Sequence, residues 1–270
     1  SLPTTQILAL YSNRTDVIVA QETVVGDIWN ASITLNDGTG DGKELFSTNV
    51  TIANTAPTHG TPILNSTLGT NTTRENLTVY NVSTADGDEQ PIKNIYNWFR
   101  NQTSVLVLNI PFEDNTTGTF AKDYSPFQNN ISQSGNGETY NASGGYDGFG
   151  AMQLGGTNAD FSAPAANSLN LSVFTLEGRI YVRSTARNGT ILSNYMGPGG
   201  SPSGAGYGIV YENGIINFTV GNGTAAGQSI TSTTSLSLNT WYHTVATFNG
   251  TNMSLYINGA HEASRIFSGT

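Results

Sequence analysis

Apolar side chains in this chain recur at every second residue over short runs, and almost nowhere at the three-and-four spacing of a helix. Residues 174–182 (FTLEGRIYV), 241–248 (WYHTVATF), 105–110 (VLVLNI), 76–82 (NLTVYNV), 49–53 and 28–35 carry the pattern. Clusters of Gly, Asn, Asp and Pro separate them, as turns between strands require. Short strands at this density predict an all-β fold, a sandwich or jelly roll with almost no helix. The one helical signal is N-terminal, where Ile7, Leu10 and Tyr11 share a face behind Pro3 and two threonines.

The chain is long enough, at 270 residues, for one large β-domain or two ordinary ones. Hydrophobic residues at 37% suffice for a core, yet charged residues supply only 11% against roughly 25% in an average soluble chain. A net charge of -9 with only ten Lys and Arg argues against nucleic acid and against an anionic membrane surface. The longest apolar stretch, 105–112, is far too short to cross a bilayer, so no direct membrane insertion is expected. Without cysteine there is no disulfide, thiol nucleophile or thiolate metal site. The opening SLPTTQ lacks a basic-apolar leader, which reads as a secretion signal already removed.

Asparagine, threonine and serine replace the missing charge. With 30 Asn, 36 Thr and 25 Ser, chance would place about seven N-x-S/T triplets in the chain. There are 17, none with a central Pro: Asn13, Asn30, Asn49, Asn65, Asn71, Asn76, Asn81, Asn101, Asn115, Asn130, Asn141, Asn170, Asn188, Asn217, Asn222, Asn249 and Asn252. Asn-rich β-turns would account for some Asn but do not demand a hydroxyl two residues later. The excess predicts covalent N-glycans and an extracellular or cell-surface location. In 215–220 (IINFTV), alternation sends Ile216, Phe218 and Val220 to one face and predicts Asn217 and Thr219 pointing outward together.

Composition marks an extended joint near 55–62 (TAPTHGTP) and a second boundary near 101–105. The Gly-rich segment 197–208 (GPGGSPSGAGYG) reads as an exposed loop. From residue 105 onward the chain resembles laminin-G-like domains of the concanavalin A-like jelly-roll superfamily. The residues that carry the resemblance are VLNIPFED (107–114), KDYS (122–125), YDGFGAMQLGG (146–156), LNLSVFTLEGRIYV (169–182) and NTWYHTVATFNGTNMSLYINGA (239–260). The family's closing strand and short helix do not follow before Thr270, whereas SLPTTQILALYSNR (1–14) looks like that closing helix. Residues 21–57 resemble the second half, and 62–104 the first half, of an immunoglobulin-like repeat of microbial surface proteins, with a lean towards an archaeal source.

The resemblance implies three segments. Residues 1–14 are a closing segment available as a donor to a neighbour, 15–104 an immunoglobulin-like region, and 105–270 a jelly roll lacking its last strand. It implies a structural or adhesive surface glycoprotein whose identical subunits join head to tail by donor-strand complementation into an extracellular filament. The alternatives are a window on a longer repeat protein, a permuted sandwich of 17–104 in which Trp29 and Trp98 share one core, and a carbohydrate-binding lectin-like module of a longer adhesin. Exposed aromatics such as Tyr195, Tyr207 and Tyr211 would favour the lectin.

No enzymatic activity is expected. Glucanases of this superfamily use an E-x-D-x-E strand, which is absent; Glu177 stands alone in TLEGRI and reads as a strand-surface residue. Of His59, His243 and His261, His243 alternates with Trp241 and Val245, which predicts a packed core role. Related jelly rolls bind calcium near their first strand, where Glu113, Asp114 and Asp123 stand here. The acidic turns Asp86, Asp88, Glu89 and Asp37, Asp41, Glu44 have a similar flavour, but Asp-Gly turns are more often hairpins.

Overall fold

The computed structural model describes residues 1–113, 121–133, 136–158, 160–184, 188–196, 202–221 and 227–268. It is nearly all-β and divides into two compact units, Ser1–Asn94 and Ile95–Thr270, upstream of the 104/105 boundary read from the sequence.

The second unit holds the core. Eight strands build it: β1 (Phe174–Val182), β2 (Gly189–Met196), β3 (Pro202–Glu212), β4 (Ile215–Val220), β5 (Gln228–Thr231), β6 (Thr240–Phe248), β7 (Asn252–Ile257) and β8 (Ala260–Ile266). They form two antiparallel sheets, ordered β1-β6-β7-β8 and β2-β3-β4-β5. Alternation decides which side chains meet. Phe174, Leu176, Tyr242, Ala246, Phe248, Met253, Leu255 and Ile257 of one sheet cluster with Tyr207, Ile209, Ile216, Phe218, Val220 and Ile230 of the other. Phe174 sits at the centre of an aromatic group, 4.2 Å from Tyr207 and 5.7 Å from Phe248 between ring centroids. Each fully buried side chain of this kind contributes roughly 1.5–3 kcal/mol.

Two Asn-Gly turns fix the register. Asn213-Gly214 joins β3 to β4 and Asn258-Gly259 joins β7 to β8, each pair with positive φ at both residues. That is the backbone of a type I′ turn, whose twist matches the flanking strands. β3 starts at Pro202, so the expected 197–208 loop is strand from that residue on; residues 197–201 lie outside the described residues.

Residues 105–110, expected as a strand, pair with no strand among the described residues. Bonds to loops hold them instead: the Asn109 amide donates to Asp123 Oδ1 (2.8 Å), and the Val107 carbonyl accepts from Asn129 Nδ2 (3.1 Å). Propensity for a strand does not make one without a partner edge.

The first unit begins as expected with a helix, Thr4–Tyr11, followed by three ladders. Ile28–Trp29 pairs with Val50–Thr51, Ser32–Ile33 with Leu45–Phe46, and Ile63–Ser66 with Leu77–Tyr80. The runs 28–35 and 49–53 are therefore broken into two-residue strands. Every residue of Ser1–Asn94 is described, and none of its apolar side chains is buried. Its two buried side chains are polar, Gln6 and Ser66. Gln6 ties the helix down by donating to the Val17 carbonyl (3.1 Å) and accepting from the Val19 amide (2.9 Å).

Candidate functional site

The outer face of the β1-β6-β7-β8 sheet gathers aromatic and charged groups. Inward positions on β6 belong to Tyr242, Thr244, Ala246 and Phe248, so Trp241, His243, Val245 and Thr247 face the other way. Tyr181 pairs with Trp241 and Arg179 with His243 across the β1–β6 ladder. Tyr181 stacks tilted on Trp241 at 5.4 Å, and Tyr146 meets the same indole edge-on at 6.2 Å. The Arg179 guanidinium lies 4.2 Å above the Tyr146 ring, a cation–π contact. Glu177 Oε1 is 2.9 Å from His243 Nε2.

This corrects the core role expected for His243: its side chain is 26% exposed and bonded to a carboxylate on the outer face. Glu177 is a strand-surface residue, as the sequence suggested, but a partnered one. The aromatics expected to line a lectin site lie elsewhere. Tyr207 is buried in the core with its hydroxyl donating to the Leu169 carbonyl (2.6 Å), and Tyr211 is half-buried and donates to the Ser184 carbonyl (3.1 Å). Burial raises the Tyr207 phenol above its ordinary range, and does the same for Tyr211. The side chain of Tyr195 lies outside the described residues. An aromatic cluster flanked by a guanidinium, an imidazole and a carboxylate has the groups that a pyranose ring can use: π faces for its C–H surface, and donors and acceptors for its hydroxyls.

Of the expected calcium ligands, Glu113 and Asp123 both accept hydrogen bonds from the protein. Asp123 is buried and all four of its acceptor positions are used: Oδ1 takes the Asn109 and Ser125 amides, Oδ2 the Ser125 hydroxyl and the Asn129 amide, each at 2.8 Å. It organises the loop around 107–129 and offers a cation no lone pair. Glu113 accepts from the Gly150 amide at 3.0 Å, and Asp114 lies outside the described residues. Asp37 and Asp86 likewise accept backbone amides within their own turns, and Asp88 accepts from the Thr55 amide. Among the described residues no three His, Asp or Glu side chains converge on a metal position.

Of the glycosylation candidates, Asn115 and Asn222 lie outside the described residues. Fourteen of the other fifteen are exposed. Asn217 is half-buried and Thr219 is buried, so the expectation that both point to solvent is corrected. The parity was right, since Ile216, Phe218 and Val220 are all buried. The outer face of β4, central between β3 and β5, is simply not open at these positions.

Residues 155–270 match the laminin G model of the concanavalin A-like lectin/glucanases superfamily. This stretch forms a laminin-G-like, concanavalin A-like domain. No curated protein matches the chain. Among solved structures the chain is similar to the binding domain of Paraclostridial Mosquitocidal Protein 1, at 21% identity and a TM-score of 0.47, over 59% of this chain and 40% of that one. The binding domain of botulinum neurotoxin serotype D gives 20% identity and 0.46, over 59% and 39%. An S-layer domain-containing protein of Clostridium thermocellum gives 23% and 0.34, over 58% and 71%. The chain spans about two fifths of the length of the toxin binding domains. Among the described residues no helix is long and apolar enough to cross a membrane.

Proposed function

We propose that the chain is a non-enzymatic building block of an extracellular, N-glycosylated surface polymer, joined head to tail to identical copies by strand complementation. The observation that carries this reading is the absence of any buried apolar side chain in Ser1–Asn94. Two-residue ladders are marginal by themselves, and contiguous exposed apolar surface marks an interaction face. Ile28, Ile33, Leu45, Phe46 and Val50 supply strand-forming side chains that a neighbour's sheet would bury. The run 105–110, β-prone yet in no ladder among the described residues, supports it from the other unit. In this reading 1–14 closes a neighbour's jelly roll, 15–104 shares immunoglobulin-like modules between copies, and 105–270 is the jelly roll. Head-to-tail addition without rotational closure gives a filament. The exposed sequon asparagines would give a low-charge surface its hydrated coat. Electron cryo-microscopy of the native extracellular material tests the reading. Continuous polymers with the apolar strands of Ser1–Asn94 seated in an adjacent copy are expected; discrete single-chain particles at high concentration would overturn it.

A second reading, a carbohydrate-binding module of a surface adhesin, is favoured by the Tyr181–Trp241–Tyr146 platform. Trp241→Ala should then weaken glycan capture at least about tenfold while leaving the inward Tyr242 and Phe248 packed. Equal capture by the variant would remove the platform from consideration.

A further inference from the structure

The sequon asparagines differ in which amide atom is held. An N-linked sugar is attached through the side-chain nitrogen, so a contact that engages the oxygen leaves the reactive atom available. A contact that engages the nitrogen holds one of its two hydrogens and fixes where the atom points. Where the partner is a backbone N–H, the contacting atom must be the acceptor oxygen, which removes the usual ambiguity of amide orientation.

Asn130, Asn141, Asn188 and Asn249 have this arrangement. Asn130 Oδ1 accepts the Asp123 amide (2.9 Å), Asn141 Oδ1 the Ser143 amide (3.1 Å) and Asn188 Oδ1 the Asn213 amide (3.0 Å). Asn249 Oδ1 accepts two amides, from Thr251 (2.9 Å) and Asn252 (2.7 Å). All four residues are exposed.

Asn217 is the reverse case. Its nitrogen donates to Glu212 Oε2 at 3.4 Å, and its oxygen is buried without a partner among the described residues. The hydroxyl of its triplet, Thr219, is buried and bonded to Ser229 Oγ at 2.8 Å. Asn217 pairs with the buried Val210 on β3 and with Thr231 on β5, so β4 has a neighbour on each side. A sugar added after folding must reach a half-buried amide whose nitrogen is turned towards Glu212. One added before folding must be accommodated where Thr219 and Val210 pack.

We propose that the mature protein is modified selectively, with glycans on Asn130, Asn141, Asn188 and Asn249 and none on Asn217. The fold, and not the triplet alone, decides occupancy. This inference rests on the glycoprotein reading above. Site-resolved glycopeptide mass spectrometry of the native protein tests it, and occupancy at each of the four sites is expected to exceed that at Asn217 at least about tenfold. Comparable occupancy at Asn217 overturns the selectivity and leaves the glycoprotein reading standing. Bare asparagine at every site overturns both. Two variants made in the source organism sharpen the result. Thr251→Ala keeps both turn bonds of Asn249 but destroys its triplet, so the intact mass should fall by one glycan. Thr219→Val keeps the buried shape and should leave the glycan mass unchanged; loss of a glycan there also overturns the proposal.

Discussion

Two ladders in this molecule start from the same kind of sequence and end differently. β1 and β6 pair over nine residues, and one face of each enters a core shared with a second sheet. Ile28–Trp29 and Val50–Thr51 are also β-branched and aromatic, yet they pair over two residues and only Trp29 among them is even half-buried. Side-chain chemistry is therefore not what separates them. A strand is stabilised by what its face packs against, and within a single chain only the second unit provides a facing sheet. The unit Ser1–Asn94 has the strand signal without the complementary layer, which the proposed neighbour would supply.

The sharpest break between the two regions should come from paired truncations. Phe218→Ala empties a site of 0% exposure, and should cost about 3–5 kcal/mol in urea unfolding. Phe46→Ala alters a side chain 66% exposed, and should move monomer stability by less than about 0.5 kcal/mol. If a neighbour covers Phe46, the same variant abolishes polymer growth, which light scattering reads directly. Unimpaired growth would leave the exposed strands without a role.

A smaller effect distinguishes backbone from packing. At Gly259 (φ 80°) and Gly38 (φ 87°) an added methyl would meet nothing within 4 Å, so Gly→Ala probes the left-handed backbone alone. At Gly259 the full cost of about 1–2 kcal/mol is expected, because β7 and β8 depend on that turn. At Gly38, in the unit without a core, thermal unfolding of the isolated chain should shift far less.

The smallest effect is electrostatic. Burial pushes the Glu262 carboxyl up, but hydrogen bonds from the Thr233 and Thr234 hydroxyls and amides outweigh it and hold it at about 2. A carboxyl lowered on folding contributes stability above its ordinary value of 4.5 and loses it as pH falls towards 2. Its side chain is half-buried and still reached by solvent, so screening keeps the contribution below about 1 kcal/mol. Glu262→Gln should flatten the acid limb of the unfolding curve between those pH values. In the other unit, hydrogen bonds from Ser66 and Thr70 hold Glu75 well below the usual carboxylate range. Glu75→Gln should loosen amide exchange in the 67–76 loop and nothing beyond it.

Much of the core was legible in the sequence. The run 174–182 is β1 to the residue, and 241–248 misses β6 by its first residue. What stayed hidden depended on which face of a strand was covered. β6 is apolar or aromatic on both faces, so parity could not decide between Tyr242 inward and Trp241 inward, and His243 went to the wrong side. Tyr207 and Tyr211 looked like surface aromatics until a second sheet lay over them. Asp123 resembled a metal ligand because nothing in KDYS reveals four donors arriving from Asn109, Ser125 and Asn129. The outer platform joins Tyr146, Arg179, Tyr181 and Trp241 from three separate segments, and no local spacing announces it.

The β1–β6 ladder also sets a clock. Thr244 on β6 bonds to the Gly178 carbonyl on β1 across 66 residues of chain. At roughly 5–20 residues per second, β1 leaves the ribosome seconds before its partner is made. The hairpins at Asn213-Gly214 and Asn258-Gly259 close in about 1–10 μs once their strands exist. Over that interval of 66 residues the strand bearing Phe174 and Leu176 has an open edge. Under the proposed exchange of strands between copies, the late arrival of β6 would make the choice of partner a matter of timing as much as affinity.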